Sequence, residues 1–155
     1  ENPEKGMNFI VHLSSTHTFK VWKHYDVFMW LDIIDMIQRK TGWMPIFIGA
    51  DYDDFAKEVF RAYVQNHIAH NLIGQTPVLL PAIHMVQRTQ FFLGAVSSGM
   101  TMLANVLRVP SASWWPREKL PQSWADENVP YLWMLWKDPA DDKRRLEAFI
   151  DKIRV

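Results

Sequence analysis

The chain's 155 residues, 48% hydrophobic and 22% charged, suit a single globular domain large enough for a hydrophobic core. Seventeen basic residues balance seventeen acidic ones, which disfavours nucleic acid held by bulk electrostatics. With no cysteine, disulfides, thiolate metal sites and a cysteine nucleophile are excluded, and no apolar run approaches the ~20 residues that cross a bilayer.

The opening Glu1 to Gly6 is polar, so no secretory leader is expected. Asn8-Phe9-Ile10-Val11-His12-Leu13 is rich in β-formers and apolar almost throughout, which predicts a strand covered on both faces. The polar stretch Ser14 to Thr18 ends it in a loop. Asp26 is placed to cap a helix over 27–40 that Thr41-Gly42 stops. Pro45 to Gly49 reads as a second buried strand. Asp51, with Asp54 three residues on, opens a helix carrying Phe55, Val59, Phe60 and Tyr63 at helical spacing. Asn71 to Gly74 reads as a very short strand, and Pro77 suits the first turn of a third helix that runs to Arg88. Gln90 to Ala95 follows as a strand, then Ser98 to Leu107 as a helix with Met102, Leu103, Val106 and Leu107 on one side. Pro110 precedes a strand over 111–114, and Pro116 and Pro121 mark a long connection. Tyr131 to Leu135 is a strand and Asp141 to Ile153 a final amphipathic helix. Strands alternating with helices predict an α/β fold: a Rossmann-like doubly wound parallel sheet with helices on both faces. One domain spans 1–155, with 117–155 as a tryptophan-rich tail and C-terminal helix.

In such a sheet, ligands sit beyond the carboxyl ends of the strands near the switch point in strand order. The loops expected there are 14–20, 49–53, 74–77 and 97–99. Ser97-Ser98-Gly99 has two readings. A serine N-cap stabilises a helix by ~1 kcal/mol with no ligand at all. The same turn also offers unpaired N–H groups and the positive end of the helix dipole to an anion, with Gly99 admitting close approach. Lys20 is placed either to reach a second phosphate or to stand as a surface charge. With Lys20 and Gln75-Thr76 at the same sheet edge, the turn reads as a diphosphate seat. No G-x-G-x-x-G follows the first strand, so the usual NAD site is not present.

Other constellations have simpler readings. His67 and His70 straddle a helix end without a third ligand for zinc. His12, His17 and His24 cluster around the first loop; His17 is placed to help hold phosphate or acceptor, or is a surface histidine. His84 reads as a half-buried helix residue. Asp51-Tyr52-Asp53-Asp54 resembles a metal-binding cluster, but also supplies negative charge at a helix N-terminus. No G-x-S-x-G supports a hydrolase elbow, and Lys143, Arg144 and Arg145 read as a solvated face. Of eight tryptophans, Trp114, Trp115, Trp124, Trp133 and Trp136 fall in the last third. Most are expected to pack the core under the last helix, with Trp115 exposed.

The segments VHLSSTHTFKVW and PIFIGADYDD, and the run NLIGQTPVLLPAIHMVQRTQFFLGAVSSGMTMLANVLRVP, keep the order and near spacing of a known family. Over about residues 8–116 the chain resembles the C-terminal, donor-binding half of the heptosyltransferase-like glycosyltransferases, the ADP-heptose:lipopolysaccharide heptosyltransferase family. The resemblance implies half of a GT-B fold that binds a nucleoside diphosphate sugar. Ser14 and Ser15 lie in the phosphate-side loop, and Lys20 neutralises the diphosphate. Gln75 and Thr76 line the nucleotide pocket, Ser98 and Gly99 present donors to the phosphates, and Asp51 falls near the position that binds the ribose hydroxyls. Two positions depart from the family: Ser97 stands for its aspartate, and Met102 for its histidine, where both face the donor. The resemblance further implies no cofactor and no metal. It implies a separate N-terminal acceptor-binding domain as partner, so that no catalytic residue is assigned in this chain and binding without turnover is expected of it alone. The implied location is cytoplasmic, extending to peripheral association of the parent enzyme with the inner face of the cytoplasmic membrane. The other reading is a non-catalytic nucleotide-binding or protein-interaction module of the same fold.

Overall fold

Alternation of apolar residues decides which helices cover which side of the sheet. A computed structural model describes residues 5–13, 25–75, 79–95, 99–115 and 125–154. Its elements are β1 (Asn8–His12), α1 (Val27–Thr41), β2 (Met44–Ile48), α2 (Asp54–Tyr63), β3 (His70–Asn71), α3 (Leu79–Gln87), β4 (Phe91–Gly94), α4 (Gly99–Val106), β5 (Ser111–Trp115), β6 (Tyr131–Leu135) and α5 (Pro139–Ile153). The described strands form one sheet in the order β3-β2-β1-β4-β5-β6, every neighbouring pair parallel. The Rossmann-like doubly wound fold read from the sequence is therefore the observed one.

Because strand side chains alternate, β1 sends Phe9 and Val11 to one face and Ile10 and His12 to the other. Phe9, Val11, Phe47, Phe91, Leu93, Ala112, Trp114 and Met134 build the larger core, under α1, α2 and α5. Ile10, Ile48 and Phe92 build the smaller one with Val86 of α3 and Ala104 of α4. A parallel sheet must be covered on both faces, and here it is.

Local chemistry sets the helix ends. Asp26 caps α1 by accepting from Met29 N at 3.0 Å, and Gly42 ends it at φ +72° with its N–H on Gln38 O, the left-handed stop that glycine allows without a Cβ clash. The cap of α2 is Asp53, not Asp51: Asp53 Oδ1 accepts from Ala56 N at 3.3 Å, while Asp51 stands in the preceding turn. α5 begins at Pro139, earlier than Asp141, because Asp138 accepts from Ala140 N and Asp141 N and proline fits the first turn. β3 is only His70–Asn71, and Asn71 Oδ1 turns the chain by accepting from Ile73 N.

On α4 the inward side differs from the one its apolar spacing suggests. Thr101, Ala104 and Asn105 are buried, whereas Met102 and Val106 are 41% and 72% exposed. The sheet beneath explains this, since β5 presents the buried Ser111 and Ser113 on that face. Asn105 Oδ1 accepts from Asp126 N at 2.8 Å, which gives the buried amide a partner.

The last helix is held by aromatic and ionic contacts. Trp30, Trp114 and Trp136 meet edge-to-face or tilted at centroid separations of 5.0–6.4 Å. Trp114 Nε1 donates to Asp142 Oδ2 at 2.8 Å, and Tyr25 OH donates to the same carboxylate. Burial pushes the Asp142 carboxyl above its ordinary value, against these two hydrogen bonds. Lys143, partly exposed, pairs with Asp32 at 2.7 Å, beside Lys40 with Asp151 at 3.0 Å. Arg144 pairs with Asp141, and Arg145 lies 6.0 Å over the Trp133 ring and donates to Trp133 O. Trp114 and Trp136 pack as the tryptophan reading expected; Trp124 and the side chain of Trp115 lie outside the described residues.

Candidate functional site

The strand order reverses direction between β1 and β4, and beside that point a cleft opens at the carboxyl ends of β1 and β2, reaching Met100 of α4. Pairing in register lines up Ile48, His12, Gly94, Ser113 and Trp133 across the sheet on one face. Gly94, the β4 partner of His12, puts no side chain beside it. The cleft has a volume of about 420 Å³ and is lined by His12, Ile48, Gly49 to Tyr52, Gly74, Ala82 and Met100. That size falls among pockets that take small molecules.

Two of the loops expected at this edge form its rim. Gly74 N donates to Gly49 O at 2.8 Å, tying the loop after β3 to the loop after β2. Gly74 sits at φ +79°, and a Cβ there would come within 3.0 Å of Asp51 Oδ1. Only glycine meets both conditions. Asp51 projects outward, its side chain 91% exposed, and accepts from Lys57 Nζ at 3.4 Å. Tyr52 stands beside it, 74% exposed.

The floor is apolar except for one imidazole. His12 Nδ1 is shielded from solvent and has no hydrogen-bond partner, and the ring packs on Phe92 at 6.1 Å between centroids. Burial holds its pKa down at about 4, so the ring is neutral at pH 7. Ala82 of α3 and Met100 of α4 complete the walls.

The expected site residues divide as follows. Asp51 lines the cleft. Gln75 follows Gly74 on the rim, exposed, with its N–H on Leu72 O. Gly99 is the first residue of α4, and among the described residues a Cβ there would meet nothing within 4 Å. Met102 lies on the exposed side of α4, and Met100 is the methionine that lines the cleft. Ser14, Ser15, Lys20, Thr76, Ser97 and Ser98 lie outside the described residues, as do His17 and His24.

His67 accounts for itself within the fold, with Nε2 2.8 Å from Asp35 Oδ1 and its ring stacked on Tyr63. His84 is exposed on α3, not half-buried. Among the described residues no cluster of three histidine or carboxylate side chains is arranged to hold a metal, and no helix is long and apolar enough to cross a membrane.

His12, Ile48, Ala82 and Met100 were not singled out as binding residues from the sequence. His12 had a signal: it is the polar side chain at the carboxyl end of an apolar strand, where ligands of such sheets sit. Ala82 and Met100 had none, since which residues of a helix overhang a cleft depends on how the helix docks. Compared with family models, curated proteins and solved structures, the chain matches none.

Proposed function

We propose that this domain binds the nucleoside diphosphate sugar of a glycosyltransferase of the heptosyltransferase-like kind. The observation that carries the proposal is the cleft at the carboxyl edge of β1 and β2, rimmed by the Asp51 carboxylate and the Gly74 turn and walled by the first turn of α4. In open α/β sheets that crevice is where nucleotides sit. The order of the segments from Asn71 through Pro110 supports the same reading.

In this proposal Asp51 accepts hydrogen bonds from ribose hydroxyls, with Gln75 and Thr76 along the same wall. The diphosphate lies toward Ser98, Gly99 and the N-terminus of α4, whose dipole favours anions, and Lys20, Ser14 and Ser15 approach it from the first loop. An acceptor hydroxyl displaces the nucleoside diphosphate directly at the anomeric carbon. The leaving charge is stabilised by Lys20 and the helix terminus, so the mechanism calls for no metal. The base belongs to an acceptor-binding domain outside this fold, and the enzyme works in the cytoplasm on a glycan or lipopolysaccharide-like acceptor at the membrane's inner face. A second reading, a nucleotide-binding module without chemistry, is favoured by Ser97 and by Met102, which points no ionisable group at a donor.

Thermal unfolding with ADP, GDP, UDP, CDP and dTDP at millimolar concentration tests the proposal. A ligand at 100 times its dissociation constant stabilises by about 2.7 kcal/mol. The expected result is a shift with one base, lost in Lys20→Ala. No shift with any of the five transfers the assignment to the interaction module.

A further inference from the structure

His12 occupies the floor of the cleft without using its hydrogen-bonding capacity. Nδ1 is buried and partnerless, and a buried polar group left unpaired destabilises a fold. The neighbouring strands offer it nothing: Ile48 stands on one side, and Gly94, without a side chain, on the other. Ala82 and Met100 overhang the same space. The protein thus keeps an imidazole at a ligand-sized cleft and gives it no partner of its own.

The rest of the lining specifies what kind of partner fits. Among the described residues no lysine or arginine lines this cleft; Asp51 and Tyr52 are the ionisable groups that share it with His12, both at the rim. Among the described residues a phosphate finds no cation there and meets a carboxylate. An uncharged hydroxyl or ring nitrogen, carried on a largely apolar ring, finds a neutral imidazole that donates or accepts according to its tautomer.

We infer that His12 is the specificity-determining residue of the cleft floor, hydrogen-bonding an uncharged polar group of the base or sugar while the charged diphosphate lies elsewhere. This rests on the nucleotide-sugar reading for the identity of the ligand, but not for the role of the histidine. A site that hydrogen-bonds a substrate group discriminates sharply against analogues lacking it, because the buried protein group is then left unpaired.

The test compares wild type with His12→Leu, close in volume and apolar, and His12→Asn, which keeps a polar atom on the floor. Each is melted empty and titrated with the five nucleoside diphosphates, the matching free nucleosides and neutral methyl hexosides. The His12 ring is followed by nitrogen-15 NMR. Removing an unpaired polar group while keeping its shape raises the melting temperature of empty His12→Leu and weakens the bound probe at least tenfold, with part of the affinity kept by His12→Asn. A residue kept for packing does the reverse: His12→Leu melts lower and binds unchanged, which overturns the inference. A diphosphate that binds without moving the His12 signals overturns it too and leaves the nucleotide reading standing. Nucleosides moving those signals point to the base, and methyl hexosides to the sugar. Either one doing so while no diphosphate binds upholds His12 and sinks the nucleotide-sugar reading. Silence of the ring toward every probe also rejects the role.

Discussion

At the residue scale, the cleft histidine ties stability to pH in a predictable direction. Burial holds the His12 pKa at about 4 against an ordinary 6.5. The unfolded chain therefore takes up a proton before the folded one does. Stability from this group is complete above pH 6.5, falls as pH drops from 6.5 to 4, and is constant below that. The shift corresponds to about 3 kcal/mol at most. Urea unfolding of wild type and His12→Leu across pH 4 to 8 checks it: the difference between them should hold steady above pH 7 and swing in favour of His12→Leu through that window. Parallel loss in both proteins would show that other groups govern the acid limb. Much at this scale was legible. Asp26 as a cap and Gly42 as a stop follow from side-chain chemistry and local spacing, and Asp51 at the cleft from its loop's place beyond a strand's carboxyl end. Asp53 as the cap of α2 did not, because three aspartates in four residues satisfy the same local rule and the turn geometry chooses among them.

Elements carry the next lesson, that two loops make the rim only by bonding to each other. The Gly74 N–H on Gly49 O fixes the turn after β3 against the turn after β2, and Asp51 occupies the space a Gly74 side chain needs. Gly74→Ala that keeps this turn holds alanine in a left-handed backbone, at a cost of roughly 1–2 kcal/mol, and presses its Cβ against Asp51. The expected outcome is a melting temperature lowered accordingly, together with weaker binding of whichever nucleotide stabilises the wild type. Gly99→Ala is the control: among the described residues a Cβ there meets nothing within 4 Å, so the empty protein should melt almost as wild type, and any effect should appear on adding ligand. Helix and strand positions were readable from periodicity for the same physical reason that helix facing was not. Period fixes the element, but the partner surface fixes which side goes in. α4 turns Thr101 and Asn105 inward, where Asn105 Oδ1 meets Asp126 N, and no window of α4's own sequence contains that fact.

For the whole molecule, the sheet is a shared wall between two unequal cores, and this makes a statement about cooperativity. The larger core holds Trp30 and Trp114 under α1 and α5, while the smaller holds Ile10, Phe92 and Val86 under α3 and α4. Ile10 and Val11 are adjacent in one strand yet belong to different cores. Damage to the small core should therefore be felt across the sheet. Ile10→Val removes one buried methyl group and should cost about 1 kcal/mol, lowering the melting temperature by roughly 3 °C for a chain of this size. The decisive readout is on the far side: the indole N–H resonance of Trp114, which donates to Asp142, should be lost at the same lowered temperature as the far-ultraviolet circular dichroism. If Trp114 instead keeps its wild-type midpoint while the helical signal falls early, α3 and α4 unfold as a separate unit. The cleft would then border a part of the molecule able to open by itself, since Ala82 and Met100 sit on those two helices while His12 and Asp51 are held by β1 and the loop after β2.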